Sequence, residues 1–306
     1  MKTLILLALL LNSVQAKDFI EIYASYANPT ELIVSGRVVD SEDKKSDEER
    51  SKERSLWQNL KENLGKFSHD EKKNIDLTLE VNTFSTTIKT DDEGYFLFNL
   101  HTPLTTKQTV LLYTKNKKEA KEVKLFVPNS QKHIGIISDF DDTVIVSDVT
   151  NKLKLLSNTL FKNFKQREVV KEVKEEFDKI LKTDNIENRA VFFVTGSPHQ
   201  LQENINAFLD LHKFPKRVLL SKKIQGENSD DLLSTIAYKY DKIVRLIKMY
   251  PQVTWVCFGD SGEKDRDVYL KVLKNYPKKI KAIYIRNVDS KKIEEVYPNQ
   301  TAVQGI

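Results

Sequence analysis

Five apolar-centred runs recur along the second half of this chain, at residues 134–137, 190–194, 217–220, 254–258 and 281–286, with segments of helical character between them. Their interiors are nearly continuous in apolar residues rather than alternating. That is the pattern of strands buried on both faces of a parallel sheet, which helices must then cover. The helical segments read as 151–164, 168–182, 198–211 with Pro198 at its start, 231–249 and 265–275. This alternation predicts an α/β fold over residues 131–306, a three-layer arrangement around a mainly parallel sheet.

Residues 17–130 follow a different grammar. Runs at 31–39, 76–84, 95–98, 110–113 and 122–127 read as short strands, and Thr90-Asp91-Asp92-Glu93-Gly94 is a turn signal. Short strands with turns between them predict a small antiparallel β-sandwich. It is interrupted by a mixed-charge stretch at 40–54, read as solvated, and by an amphipathic helix at 56–65 closed by Gly65. Trp57 on that helix either packs on the sandwich or touches a membrane surface.

Residues 1–16 combine Lys2, an apolar run over 4–11 and small residues at Val14 and Ala16, which read as a secretory signal peptide too short to span a bilayer. The expected location is exported, periplasmic or secreted, with peripheral membrane contact as one option. The single cysteine, Cys257, excludes an internal disulfide and lies in an apolar run, as a small buried hydrophobe would. A formal net charge of +5 over 306 residues is too small an excess to indicate a nucleic-acid partner.

Ligands of open α/β sheets bind beyond the carboxyl ends of the strands, so the residues just after each apolar run carry the information. After the first run stands Ser138-Asp139-Phe140-Asp141-Asp142-Thr143. After the second stands Thr195-Gly196-Ser197-Pro198, and after the fourth Gly259-Asp260-Ser261-Gly262-Glu263-Lys264-Asp265. This is a set of parts for phosphoryl transfer. One carboxylate can attack phosphorus, and a second, two residues on, can serve as acid and then base. Clustered acids call for a divalent cation, and oxygen ligands with phosphate suit Mg²⁺. A hydroxyl and a lysine would hold the non-bridging oxygens.

These strand-end motifs resemble the haloacid-dehalogenase superfamily of phosphatases. Residues 137–144, 195–198, 259–262 and Asp267-Val268-Tyr269, with Lys239, Ile243, Pro251 and 282–286, are more narrowly similar to the actin-patch-protein type of phosphatidate phosphatase domain. The resemblance covers about 130–290, and weakly reaches Ser35-Gly36-Arg37-Val38 and 90–96. It implies Asp139 as nucleophile, Asp141 as general acid/base, and Thr195 and Lys239 as phosphate-binding groups. It implies Mg²⁺ held by Asp139, the Asp141 backbone carbonyl and Asp260, with Asp265 a further ligand or a support. Lys242, one turn after Lys239, competes for the lysine role. His199 stands where that family leads one to expect an aromatic residue, and reads as a helix-surface residue. Asp142 and Asp148 read as loop or metal-shell acids. The short intervals Thr143 to Thr195 and Thr195 to Lys239 leave no room for a large lid, so a phosphate on a bulky lipid can enter. The expected reaction is therefore Mg²⁺-dependent hydrolysis of a phosphomonoester, phosphatidate first. The alternatives are an exported phosphatase of small or nucleotide esters and a non-catalytic envelope-binding protein.

Overall fold

A computed structural model describes residues 18–40, 74–103, 108–115, 117–146, 167–223, 230, 235–262, 264–288 and 299–304. The signal segment, nearly all of the charged stretch, the Trp57 helix, the 151–164 helix, Asp148 and the first residues of the 231–249 helix lie outside the described residues.

Seven strands precede the α/β part. They are β1 (Asp18–Ala27), β2 (Glu31–Asp40), β3 (Asp76–Val81), β4 (Phe84–Lys89), β5 (Tyr95–His101), β6 (Thr109–Tyr113) and β7 (Lys121–Lys124). They form two antiparallel sheets, ordered β1-β2-β5 and β4-β3-β6-β7. Residues of both sheets share one core, with Leu32, Val34, Val38, Phe96 and Phe98 facing Leu77, Leu79, Val81, Val110 and Leu112. The alternation read over 76–84 as a single strand is in fact a strand, a turn and the start of another. Asn82 takes φ 53°, which asparagine tolerates, and Val81 pairs with Phe84 across the turn. Gly36 has a steric reason: a Cβ there would stand 1.9 Å from the Glu21 carbonyl oxygen of β1, beside a bulge in the β1–β2 register.

The second part holds β8 (His133–Ser138), α1 (Lys171–Leu181), β9 (Val191–Pro198), α2 (Gln202–Leu211), β10 (Val218–Lys222), α3 (Thr235–Met249), β11 (Val253–Asp260), α4 (Asp265–Asn275), β12 (Ile280–Asn287) and β13 (Thr301–Gln304). Its six strands are all parallel, in the order β10-β9-β8-β11-β12-β13. The edge strand β13 was not legible in the sequence, because four residues without an apolar run carry no periodic signal. Pro198 ends β9 rather than opening a helix, and a 3-10 turn at His199–Leu201 precedes α2.

Neighbouring residues of each inner strand feed opposite cores, which is why the runs are apolar throughout. Ile137, Phe192, Trp255 and Cys257 pack with α3 and α4 on one face. Ile136, Phe193, Val256 and Phe258 pack with Phe177 of α1 and Phe208 of α2 on the other. The first face also takes Ala24, Tyr26 and Ile33 from the antiparallel sheets, with Phe126 just after β7, so the two parts share a core. No helix among the described residues is long and apolar enough to cross a membrane.

The chain leaves β8 toward β9 and β10, then returns to the other side of β8 as β11. The carboxyl end of β8 is therefore the topological switch point, where a crevice opens between diverging connections.

Candidate active site

Asp139 follows β8 directly and is buried, its N–H donating to the Phe258 carbonyl at 2.9 Å so that it stays in register with β11. Asp260 ends β11 and Asp265 opens α4, and both are fully buried. A carboxylate oxygen from each of Asp139, Asp260 and Asp265 lies within 4.8 Å of the other two. Gly259 makes this approach possible. A Cβ there would stand 2.5 Å from Asp265 Cβ and 2.7 Å from the Tyr269 ring.

Lys239 reaches this group from α3. Its Nζ stands 3.0 Å from Asp139 Oδ1 and 2.6 Å from Asp265 Oδ1, and the side chain is fully buried. Lys242, one turn on, lies instead with its Nζ 5.3 Å from the Tyr238 ring centre. Burial, ahead of the neighbouring charges, holds the Lys242 pKa below the usual lysine value. Of the two lysines read as candidates, Lys239 is the one against Asp139.

Asp141 turns the other way. Its Oδ2 accepts a 2.5 Å hydrogen bond from Ser197 Oγ and a 3.3 Å one from Thr195 Oγ1, both at the end of β9. Thr195 Oγ1 in turn accepts from the Ser197 N–H at 3.0 Å. Asp142 adopts φ 55°, and turn bonds from Thr143 and Val144 to the Phe140 carbonyl close the loop that separates the two carboxylates.

Three neighbours carry no role in the motif reading. Ser197 is the nearer of the two hydroxyls to Asp141, although its place in the Thr195–Pro198 motif was the available signal. Arg286, at the end of β12, donates to the Asp142 carbonyl at 2.7 Å while its own carbonyl accepts from the Ser261 N–H, tying the β8 and β11 loops together. Arg167 feels both Asp141 and Asp142, although burial dominates and lowers its pKa from the usual arginine value. His199 is half-buried rather than open on a helix surface. Its imidazole stacks on Tyr23 of β1, and burial, with lesser effects from Lys242 and Lys223, pushes its pKa down to about 3. Cys257 is a buried thiol whose pKa burial drives upward, in keeping with a packing role.

The donor set fits a hard divalent cation. Among the described residues, three buried carboxylates gather beside the Lys239 ammonium, an arrangement that burial makes costly without a further cation, and every donor in it is oxygen. Asp139, Asp260 and Asp265 could hold such an ion.

Residues 134–287, half of the chain, match the family described as "Phosphatidate phosphatase APP1, catalytic domain". The chain belongs to this family. The matched region contains every strand-end residue just placed. The Phosphatidate phosphatase APP1 of Saccharomyces cerevisiae is 27% identical over 154 residues, covering 50% of this chain and 26% of the yeast protein. An uncharacterized protein of Schizosaccharomyces pombe is 26% identical over 215 residues, covering 66% of this chain and 34% of that protein. The chain thus spans about a quarter to a third of the length of these curated relatives. A solved carbohydrate acetylesterase from Xanthomonas citri overlays at a TM-score of 0.28 with 8% identity, covering 93% of this chain and 71% of that one, too loosely to carry an argument.

Proposed function

We propose that this APP1-family domain hydrolyses phosphomonoesters through an aspartyl-phosphate on Asp139, with Mg²⁺ as cofactor and phosphatidate as the substrate. The observation that carries the reading is the division of the two carboxylates on one short loop. Asp139 faces Lys239 and the acids, while Asp141 faces Thr195 and Ser197.

In the first step an Asp139 carboxylate oxygen attacks phosphorus, the ester P–O bond breaks, and Asp141 passes its proton to the departing alkoxide. In the second step Asp141 takes a proton from water as the water oxygen attacks phosphorus. The bond to Asp139 breaks, inorganic phosphate leaves, and both carboxylates return to their starting states. Lys239 balances charge on Asp139 at rest and on the phosphoryl oxygens as they approach. Thr195 supplies a hydroxyl at the same strand end. A bound Mg²⁺ would supply Lewis-acid stabilisation of phosphoryl charge, held by Asp139 and Asp260 with the Asp141 backbone carbonyl and with Asp265 as ligand or support.

Phosphate release by the purified chain in Mg²⁺ tests this on phosphatidate vesicles beside soluble alkyl, aryl and nucleotide monoesters. Preferred release from phosphatidate supports the full reading. Preference for soluble esters keeps the chemistry and overturns the lipid substrate. No release from any ester, with Mg²⁺ present and the chain folded, overturns the reaction and favours a binding role.

A further inference from the structure

The antiparallel sheets reach the active-site end of the parallel sheet at an aromatic cluster around His199. Tyr23 of β1 stacks on His199 with ring centres 4.5 Å apart and planes 13° from parallel. Tyr95, the first residue of β5, lies 6.0 Å from the same imidazole and accepts a 3.1 Å hydrogen bond from Gln200 Nε2. His199 Nδ1 stands 2.6 Å from Ser221 Oγ on β10, which also accepts from Gln202 Nε2 at 2.6 Å. Nδ1 either accepts from the Ser221 hydroxyl or donates to it, according to the tautomer, and both tautomers of the neutral imidazole keep this contact. Tyr95 is itself pinned. Its N–H donates to Asp91 Oδ1 at 2.8 Å, Lys223 pairs with Asp91, and Arg37 lies 5.0 Å over the ring.

His199 follows Ser197 by two residues, with only Pro198 between them in an extended conformation (φ −70°, ψ 156°). The proline ring fixes φ, so a shift of His199 is passed on to Ser197, and Ser197 orients Asp141.

We propose that Tyr23 and Tyr95 are positioning residues of the phosphatase site: through His199 they hold the Thr195–Ser197 end of β9, and so aim Asp141 at the leaving oxygen. This rests on reading Asp141 as the acid/base. The sheets also dock elsewhere, at the opposite end of α3. Tyr250 Oη donates to the Ala27 carbonyl at 3.1 Å, Asn28 Nδ2 to the Met249 carbonyl at 2.9 Å, and Arg245 pairs with Glu31 at 2.7 Å. Loss of the Tyr23 ring leaves those contacts in place, so docking and positioning are separable.

The test compares kcat/KM of the full chain in Mg²⁺ on two soluble monoesters. Dihexanoyl phosphatidate below its micelle concentration needs a proton on its alkoxide, whereas p-nitrophenyl phosphate has a leaving group that departs without one. A misplacement near 1 Å costs as much as about 100-fold. Tyr23→Leu should therefore lower kcat/KM on the alkyl ester roughly tenfold, and on the aryl ester less than about threefold. Tyr23→Phe and His199→Phe, which keep an aromatic pair, should hold the wild-type ratio of the two esters. Should Tyr23→Leu lose its cooperative melt, His199→Ala, which leaves the antiparallel sheets untouched, must give the same selective loss. Equal losses on both esters, or none, would overturn the positioning role while leaving the phosphatase reading intact. A wild-type chain that releases phosphate from neither ester would overturn both.

Discussion

Ser197 and Asp141, 56 residues apart in the chain, meet through a 2.5 Å hydrogen bond across the ends of two neighbouring strands. Asp139, two residues before Asp141, is instead held against Lys239. The two carboxylates share one loop and have different partners, which is how one segment can supply both a nucleophile and a proton carrier.

Asp141→Asn should slow turnover of an alkyl phosphomonoester by ~10²–10⁴-fold, the usual cost of losing a general acid/base. Ser197→Ala should cost less, since the Thr195 hydroxyl remains within reach of the same oxygen. Steady-state rates on alkyl and aryl esters check both. A rate unchanged in Asp141→Asn on the alkyl ester removes the assignment.

Asp139→Asn should end turnover, because an amide of nearly the same shape is a poor nucleophile. Mass spectrometry of the wild-type chain after rapid acid quench should show a phosphoryl adduct on the peptide carrying Asp139, absent from the variant. An adduct that persists in a preparation free of deamidation would place the nucleophile elsewhere.

Mg²⁺ should raise the melting temperature of the wild type, because an ion bound only by the folded chain stabilises it by about 2.7 kcal/mol at 100 times its Kd. Asp260→Asn removes one of three mutually repelling buried carboxylates. In chelator it should melt higher than the wild type, and it should gain much less from Mg²⁺. Equal Mg²⁺ increments in the two proteins would take Asp260 out of the metal site.

Gly259→Ala should destabilise the fold by roughly 1–3 kcal/mol, the range for overpacking, and reduce activity more than stability alone explains. The added methyl would press on Asp265 Cβ and on the Tyr269 ring, whose hydroxyl donates to the Phe258 carbonyl at 2.7 Å. Denaturant unfolding together with turnover at a permissive temperature measures both effects. An Ala variant of wild-type stability and rate would show that the site tolerates the displacement.

His199 should make the fold acid-sensitive. Its pKa is pushed down to about 3 by burial first, then by Lys242 and Lys223, whereas the unfolded imidazole titrates near 6.5. Between those values the unfolded chain binds a proton that the folded chain does not, so stability falls as pH drops from 6.5 toward 3. Each pH unit in that window contributes at most roughly 1.4 kcal/mol. His133, also lowered chiefly by burial, adds to the slope in both proteins. His199→Phe should flatten the acid limb of a stability–pH curve, and an unchanged slope would contradict the neutral stacked imidazole.

The sequence by itself determined the parallel α/β sheet, because strands buried on both faces must be apolar throughout, and that signal is local. It also determined which strand ends hold acids and hydroxyls, since Asp139, Asp141, Thr195 and Asp260 follow such runs within a few residues and Asp265 opens the next helix. It could not separate Lys239 from Lys242, because both stand on one helix and only the rotation of α3 against β8 decides which ammonium meets Asp139. Nor could it find β13, whose four residues become a strand only by pairing with β12. The place of His199 was decided by tertiary structure alone. Its partner Tyr23 lies on the first described strand, and a stacking contact between rings so distant in the chain leaves no periodicity to read. Local patterns record what a residue must be buried in. Which distant group it meets is set by how the two layers dock.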